Sequence, residues 1–402
     1  MNTPIMNWIE SLCAFTEKDR GDGVTRLPFT PQSEQARQYL MQQLQELGLT
    51  PKTDRFGTIT AHLEGKKPES LMIGSHYDSI PNGGKYDGIA GIVTAMDAVR
   101  QLRQSGRTPR CSVDIICTND EEGIRFSKGF LSAKVICGLQ SDEELESIVD
   151  VKTGETLSQC IRRSPYWENE TITLTGALSQ VRRFLEIHIE QGGILDAGGQ
   201  DIGLVENIAG IRRFYLTVTG KGNHSGSTPM AGRKDALVIA SRIISAIPDM
   251  TAPYPKAVAT VGNILCKPNS INAIPAQVQF SLDVRSGKEG YLKSLSDDIC
   301  RMARDVTEAA GAELDIRVGT YVKAAPMSQD LLGELEDTAK AMGLRTLRMD
   351  SGAGHDAQTI ADFVETAMLF LPSAGGISHH PDEYTAPQYL QQAADLLYRY
   401  LL

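Results

Sequence analysis

The sequence is short of most features that would place it in a specialised class. It has no apolar run of the roughly 18 to 20 residues that a membrane helix needs, and its opening, MNTPIMNWIESLC, lacks a basic segment followed by an apolar one. A cytoplasmic protein with no membrane partner is expected. Cysteine is sparse and odd in number, with Cys13, Cys111, Cys117, Cys137, Cys160, Cys266 and Cys300 widely scattered and no C-x-x-C pair among them. A disulfide scaffold and a thiolate zinc site are both excluded, and the thiols are expected to be reduced and mostly in the core. Basic charge is also lacking: 40 Lys and Arg face 50 Asp and Glu, a net charge of −10. That is the wrong sign for gripping phosphate backbones, so no nucleic-acid partner is expected.

What is present is an ordinary globular composition, 41% hydrophobic and 22% charged, spread over 402 residues. That length exceeds the roughly 100 to 200 residues of one typical domain, so two domains are expected. A helix is signalled by Thr30 as cap, Pro31 at the first position, apolar Ala36, Leu40, Leu44 and Leu47, and Gly48 as terminator. Four short apolar runs end in polar, metal-capable residues: LMIGSHYD, VDIICTNDEE, FLEIHIEQ and AMLFLPSAGGISHH. Each reads as a buried strand with chemistry at its carboxyl end, and helical stretches such as Ile89 to Leu102 lie between them. The fold class is therefore α/β. Between 210 and 324 the pattern changes to strand, helix, two strands, helix and strand, the ferredoxin-like order, with RRFYLTVTG, AVATVGNIL, QVQFSLDVR and ELDIRVGTYV as the strands. Residues 1–209 and 325–402 are expected to form the domain with the chemistry, and 210–324 an inserted α+β domain.

Histidine is scarce, with seven residues in all, and most sit in polar, glycine-rich motifs. His76, Asp87, Glu121, Glu122, His188 and His379 form an imidazole and carboxylate set without thiolate, the donor type of a catalytic zinc or manganese site. Six such residues can hold two ions. Asp87, on the glycine-flanked turn NGGKYDG, suits a carboxylate shared by both. Asp78 could hold the second nitrogen of His76 and fix its tautomer. Glu121 and Glu122 follow an apolar strand, where successive side chains diverge, so one can bind metal while the other stays free as a proton acceptor for hydrolysis. Any one of these residues alone would more commonly be structural. Their joint occurrence at four strand ends is what points to a metal site.

The segments GSHYDSIPNGGKYDG, NDEEGIRF, EIHIEQGGIL, GNHSGSTPM, PNSINAIPAQVQFSLDVR, SGAGHDA and GISHHPDEYT resemble, in order and spacing, the amidase/hydantoinase/carbamoylase group of di-metal amidohydrolases. That group includes N-carbamoyl-L-amino acid hydrolases, β-ureidopropionases and allantoate amidohydrolases, within a wider metallopeptidase superfamily. The resemblance implies a mixed-sheet di-metal hydrolase domain whose inserted domain serves as lid and dimerisation element of a homodimer. It implies two divalent ions per subunit, zinc or manganese with cobalt or nickel as alternatives. His76, Asp87 and His188 would bind one ion, Asp87, Glu122 and His379 the other, and Glu121 would be the general base. The S-H-x-x-x-E pattern falls on Ser378, His379 and Glu383, leaving His380 as an extra imidazole. Gln191, His224, Asn272, Arg285 and His355 match positions that bind substrate or polarise its carbonyl, and Arg285 suits a carboxylate. His62 matches nothing and reads as a surface or strand residue.

The implied activity is hydrolysis of a ureido C–N bond in allantoate or an N-carbamoyl-L-amino acid, a small ureido acid, with release of ammonia and carbon dioxide. Arg212, Arg213 and Asn223 are slightly more similar to the allantoate enzymes. Ser225 and Ser227 stand where the group usually has Ala and Thr, and SKGFLSAKVICG lacks a common Gly-Ser step. Two other readings are a peptidase or aminoacylase of the superfamily, and an inactive binding protein on the same fold. The first usually lacks HIEQG and SGAGHD, and the second would have lost Glu121 or a ligand.

Overall fold

Thr30 and Pro31 open the first long helix for the reason their chemistry suggests. In the computed structural model, which describes residues 3–402, the Thr30 hydroxyl accepts from the Ser33 N–H and Pro31 begins the helix Pro31–Glu46. Ala36, Leu40 and Leu44 are buried, while Leu47 is the C-cap and not a core residue. The helix stops there because Gly48 takes a φ of 75°.

The chain divides into two compact units. One contains the residues up to Glu206 together with Met327–Met349 and His355–Leu402, and the other contains Asn207–Pro326 and Asp350–Gly354. The segment Asp350–Gly354, which the sequence division grouped with residues 325–402, falls in the second unit. There Ala209 N–H donates to the Ser351 carbonyl and Arg285 donates to that of Gly352.

In the first unit the four polar-tipped apolar runs become the strands Ser70–His76, Ser112–Thr118, Val181–Ile189 and Glu365–Leu371. They run parallel, in the order Ser112–Thr118, Ser70–His76, Val181–Ile189, Glu365–Leu371. Parallel strands are buried on both faces, which explains why these segments read as continuous apolar runs and not as alternations. Antiparallel strands extend the sheet at both sides, Ile59–Leu63 and then Thr50–Thr53 on one and Ile202–Ile208 on the other, so the sheet is mixed. All four parallel strands end at one edge, and the loops that follow them start there.

The helix Ile89–Ser105 packs on the strands Ser70–His76 and Val181–Ile189. Its approach is close: a Cβ on Gly91 would overlap the Ile187 carbonyl oxygen. Of the seven thiols, all unpaired, Cys117, Cys160 and Cys300 are buried and the other four are partly exposed, fewer in the core than the sequence suggested. Among the described residues no helix is long and apolar enough to cross a membrane.

Apart from two-residue strands such as Asn223–His224 and Ala273–Ile274, the second unit has the chain order strand, helix, three strands, helix, strand. Its sheet runs Ile264–Lys267, Gln277–Ser286, Gly210–Thr219, Glu313–Val322, every neighbouring pair antiparallel. The run AVATVGNIL is not one strand but two, Val258–Thr260 and Ile264–Lys267, both paired to Gln277–Ser286. Burial alternates along Gln277–Ser286, and Phe280, Leu282, Leu216 and Val218 pack with Ile243 and Ile299 of the helices Ala236–Thr251 and Glu289–Ala309.

Gly91→Ala tests the helix contact. An unconstrained helical Gly→Ala change would stabilise by up to about 1 kcal/mol. Here the overlap is with backbone, so the helix must shift, at about 1 to 3 kcal/mol for overpacking. The net result expected in urea unfolding is a lower midpoint with the slope unchanged; a raised midpoint would contradict the packing.

Candidate metal centre

His76 is the last residue of its strand and His188 the next to last of the strand beside it. Their Nε2 atoms face each other at 3.3 Å. The Nδ1 atoms point away, 3.1 Å from the Asp78 carbonyl oxygen and 2.9 Å from that of Ile189. A carbonyl only accepts, so each Nδ1 carries a proton, and Nε2 is the atom that each ring, once its second proton is displaced, would offer to the same point. The Asp78 carboxylate was expected to hold His76, but it stands 3.7 Å from Nδ1. It accepts instead from the N–H groups of Glu121 at 3.1 Å and Glu122 at 3.3 Å. One residue thus orients the imidazole with its carbonyl and the glutamate pair with its side chain.

Asp87 lies in the loop before the helix Ile89–Ser105, next to Gly88 at a φ of 67°. Its Oδ1 is 2.9 Å from His188 Nε2 and 3.4 Å from His76 Nε2, and its Oδ2 is 3.1 Å from His379 Nε2. Each oxygen faces a different group. His76, Asp87 and His188 offer ligand atoms that all lie within 4.8 Å of one another, and so do Asp87, Glu122 and His379. Glu121, with Oε2 3.9 Å from His76 Nε2, forms a third such group with His76 and Glu122. Glu122 Oε1 is buried without a hydrogen-bond partner. His380 joins none of these groups, since its Nδ1 accepts from the Asp382 N–H. The glutamate pair is not on the strand, which ends at Thr118; a left-handed Asp120, φ 61°, turns the chain first. His379 is likewise on a loop beyond Leu371, with a φ of 56°.

The electrostatics follow from crowding acids and imidazoles in a site that is buried except on its His379 side. Burial pushes the Asp87 carboxyl up, but the His188, His379 and His76 imidazoles outweigh it and hold it well below the usual carboxylate range. Burial pushes His76 down, while Glu121, Asp87 and Asp78 overcome it and hold the ring well above its ordinary value. Glu121 is raised well above the ordinary glutamate value by burial, with Glu122 and Asp356 adding to it. Burial and Asp87 push Glu122 up to about 7. The hydrogen bond to Asp87 takes His379 up to about 9. Protons here do the work that cations would do. The converging Nε2 atoms, the divided Asp87 carboxylate and the orphaned Glu122 oxygen fit two divalent ions with nitrogen and oxygen ligands.

Two of the five residues expected to bind substrate adjoin this centre. Gln191 Nε2 donates to Asp87 Oδ2 at 3.1 Å and lies 3.2 Å from His379 Nε2. The buried His355 ring meets His188 edge to face at 4.7 Å between centroids. Burial and the neighbouring His188 keep His355 well below the usual imidazole range, hence neutral. The other three lie in the second unit. His224 belongs to a two-residue strand paired with Ala273–Ile274, and its Nδ1 accepts from the N–H groups of Gly226 and Ser227. Asn272 Oδ1 accepts from the Ser270 hydroxyl. Arg285 is partly engaged: Nε donates to Asp283 at 2.9 Å and a terminal nitrogen to the Gly352 carbonyl at 2.8 Å, while Asp283 also holds Arg213 at 2.7 Å. His62 pairs with Asp114 at 2.9 Å and is the exposed residue, 53% by side chain, of the otherwise buried strand Ile59–Leu63.

Sequence reading missed Glu186 and Asp356. Glu186 is buried, accepting from the Ser75 hydroxyl at 2.9 Å and the Ala357 N–H at 2.8 Å. Asp356 accepts from the Thr118 hydroxyl and is pushed up to about 7 by burial and by Glu186. The signal was a carboxylate inside the apolar run FLEIHI, two residues before His188 and so on the same face of the strand.

The sequence pattern of peptidase family M20/M25/M40 matches residues 72–402. The chain is similar to an N-carbamoyl-L-amino-acid amidohydrolase of Paenarthrobacter aurescens, 35% identical over 94% of this chain and 92% of that protein. It is 33% identical to an allantoate amidohydrolase of Bacillus subtilis (strain 168), over 98% of this chain and 97% of the relative. Among solved structures it is similar to an amidase of the hydantoinase/carbamoylase family from Burkholderia multivorans, with a TM-score of 0.92 and 29% identity, covering 99% of this chain and 96% of that one.

Metal binding should depend on pH with a definite sign. In the metal-free protein His379 titrates near 9 and Glu122 near 7, so at pH 7 an ion must displace at least the His379 proton. Affinity for an ion on Asp87, Glu122 and His379 should rise from pH 6 to 9 and level off above that. Calorimetry at pH 7 in buffers of different ionisation enthalpy should show about one proton or more released; no release would contradict the assignment.

Proposed function

We propose, on the premise that the chain belongs to peptidase family M20/M25/M40, that this centre is the active site of an amidohydrolase cleaving ureido C–N bonds in N-carbamoyl-L-amino acids or allantoate. The observation that carries the reading is the division of Asp87 between two imidazole and carboxylate groups, with a further carboxylate, Glu121, 3.9 Å from His76. His76, Asp87 and His188 would hold one divalent ion and Asp87, Glu122 and His379 the other, zinc or manganese, with cobalt or nickel also suited to the donors. When bound, such ions polarise the substrate carbonyl and lower the pKa of water towards about 7.

Glu121 is the general base. It takes the proton of the attacking water and returns it to the leaving nitrogen, a role open to a carboxylate placed beside the ligand groups, 3.9 Å from His76 Nε2. Water adds to the ureido carbonyl, the C–N bond breaks, and collapse of the carbamic acid yields an amine, ammonia and carbon dioxide. Neutral His355, or His224, donates to the carbonyl oxygen as charge develops on it. Gln191, Asn272 and Arg285 recognise the polar and carboxylate end of the substrate. The motifs HIEQG and SGAGHD and the names of the relatives favour a ureido acid over a peptide. We read residues 210–324 as the lid and dimerisation domain of a cytoplasmic homodimer, by resemblance to the same group.

An assay of the zinc- or manganese-loaded protein, scoring ammonia from allantoate, N-carbamoyl-L-amino acids and N-carbamoyl-β-alanine and free amine from N-acyl amino acids, tests the reading. Ammonia from allantoate or an N-carbamoyl-L-amino acid is expected; amine from N-acyl amino acids alone would overturn it in favour of an aminoacylase. Glu121→Gln should lower kcat about 100-fold or more with metal content retained, whereas Glu122→Gln should lower metal content. For Arg285, truncation of a desolvated charge pair costs about 2 to 5 kcal/mol, so Arg285→Ala should lower kcat/KM at least about thirty-fold for acid substrates. Arg285→Lys should not restore it, because one ammonium cannot reproduce the fork. An equal loss on a substrate whose carboxylate is replaced by an amide would assign Arg285 to the structure of its own unit.

A further inference from the structure

Glu383 is buried, 3% exposed, and belongs to neither ligand group. Four donors converge on it. Its Oε1 accepts the N–H groups of Tyr86 at 2.9 Å and Asp87 at 3.0 Å. Its Oε2 accepts the Ser378 hydroxyl at 2.9 Å and the His379 N–H at 3.3 Å. One side chain therefore ties together two loops that are 297 residues apart in sequence, and each loop supplies one member of the Asp87, Glu122 and His379 group.

Two further features show that the arrangement is built around this carboxylate. A Cβ on Gly84 would overlap it, so the loop before Asp87 has room for Glu383 only because that position is glycine. His379 has a φ of 56°, a left-handed conformation that only a few per cent of non-glycine residues adopt, His more readily than most. The N–H of this residue is one of the four groups from which Glu383 accepts.

We infer that Glu383 is a positioning residue for the two-ion centre, setting the distance between the shared Asp87 carboxylate and His379 and thereby whether a second cation can bind. The inference rests on reading those residues as ligands. An ionised carboxylate is acceptor-only and has lone pairs for all four donors. Gln has the same size, but its NH2 group would face either two N–H groups or the Ser378 and His379 pair, so Glu383→Gln breaks one side of the tie. A residue that only braced a loop would weaken both ion positions together.

The test is titration of the metal-free protein with Zn2+ or Mn2+, counting sites by calorimetry and by elemental analysis after desalting, for wild type, His379→Ala, Glu383→Gln and Ser378→Ala. The expected result is that wild type binds two ions and His379→Ala one. Glu383→Gln should keep the tighter ion within a few-fold and bind the other about 10- to 100-fold more weakly, the size usual for partners that orient ligands. Ser378→Ala, which removes one donor of four, should move the same ion in the same direction by less, and it decides the matter if Glu383→Gln does not fold. Retention of one ion is the internal control for folding. Wild-type affinity for both ions in Glu383→Gln, or equal weakening of both, would overturn the inference. Two ions still bound by His379→Ala would overturn the ligand reading itself.

Discussion

The rest of the structure depends on one carboxylate with an imidazole group on either side. Asp87 turns one oxygen to the buried His76 and His188 and the other to His379, whose side chain is 47% exposed. A buried carboxylate costs several kcal/mol unless it is paired, and Asp87 shares its surroundings with Glu121, Glu122 and Asp78. So many like charges are tolerable only if positive charge is held at fixed points among them. In the metal-free state protons on the imidazoles and on the raised glutamates supply part of that balance, and two divalent ions would supply it in full. In that metal-free state the same crowding keeps the affinity of Glu121 for a proton high.

Holding Asp87 in place takes several parts of the first unit. Parallel strands bring His76 and His188 side by side because both end at the same sheet edge. Gly91 lets the helix after Asp87 settle on the strand that carries His188. Asp78 fixes the glutamate pair through two backbone N–H groups, and Glu383 fixes Asp87 and His379 through three N–H groups and a hydroxyl. In each case a buried carboxylate is held mainly by backbone N–H groups of loops. That is how irregular segments reach the precision of a strand end.

The second unit is organised on a different principle. Its core is an antiparallel sheet with alternating burial, and its polar residues are linked in a chain from Arg213 through Asp283 to Arg285 and on to Gly352. Two guanidinium groups share one carboxylate there, so a net positive charge remains next to the glycine-rich segment 350–354. The link also explains why that segment belongs with the second unit although the chain enters and leaves it from the first.

Much of this was legible in the sequence alone. Side-chain identity and short-range periodicity determined the helix start at Thr30 and Pro31, the four apolar strands, the outline of the inserted unit and the nitrogen and oxygen character of the candidate metal donors. These are properties of a few adjacent residues, and the family motifs are of the same kind. Tertiary structure decided where backbone and side chain exchange roles, so that the Asp78 carbonyl holds His76 while its carboxylate serves the glutamates. It also decided that Glu121, Glu122 and His379 sit on loops turned by left-handed residues, that Glu186 and Asp356 share a buried site, and that Glu383 joins loops almost 300 residues apart. The physical reason is range. A periodicity records which face of its own element a residue occupies, whereas the partner of a buried charge is set by which distant segments the closed fold brings against it.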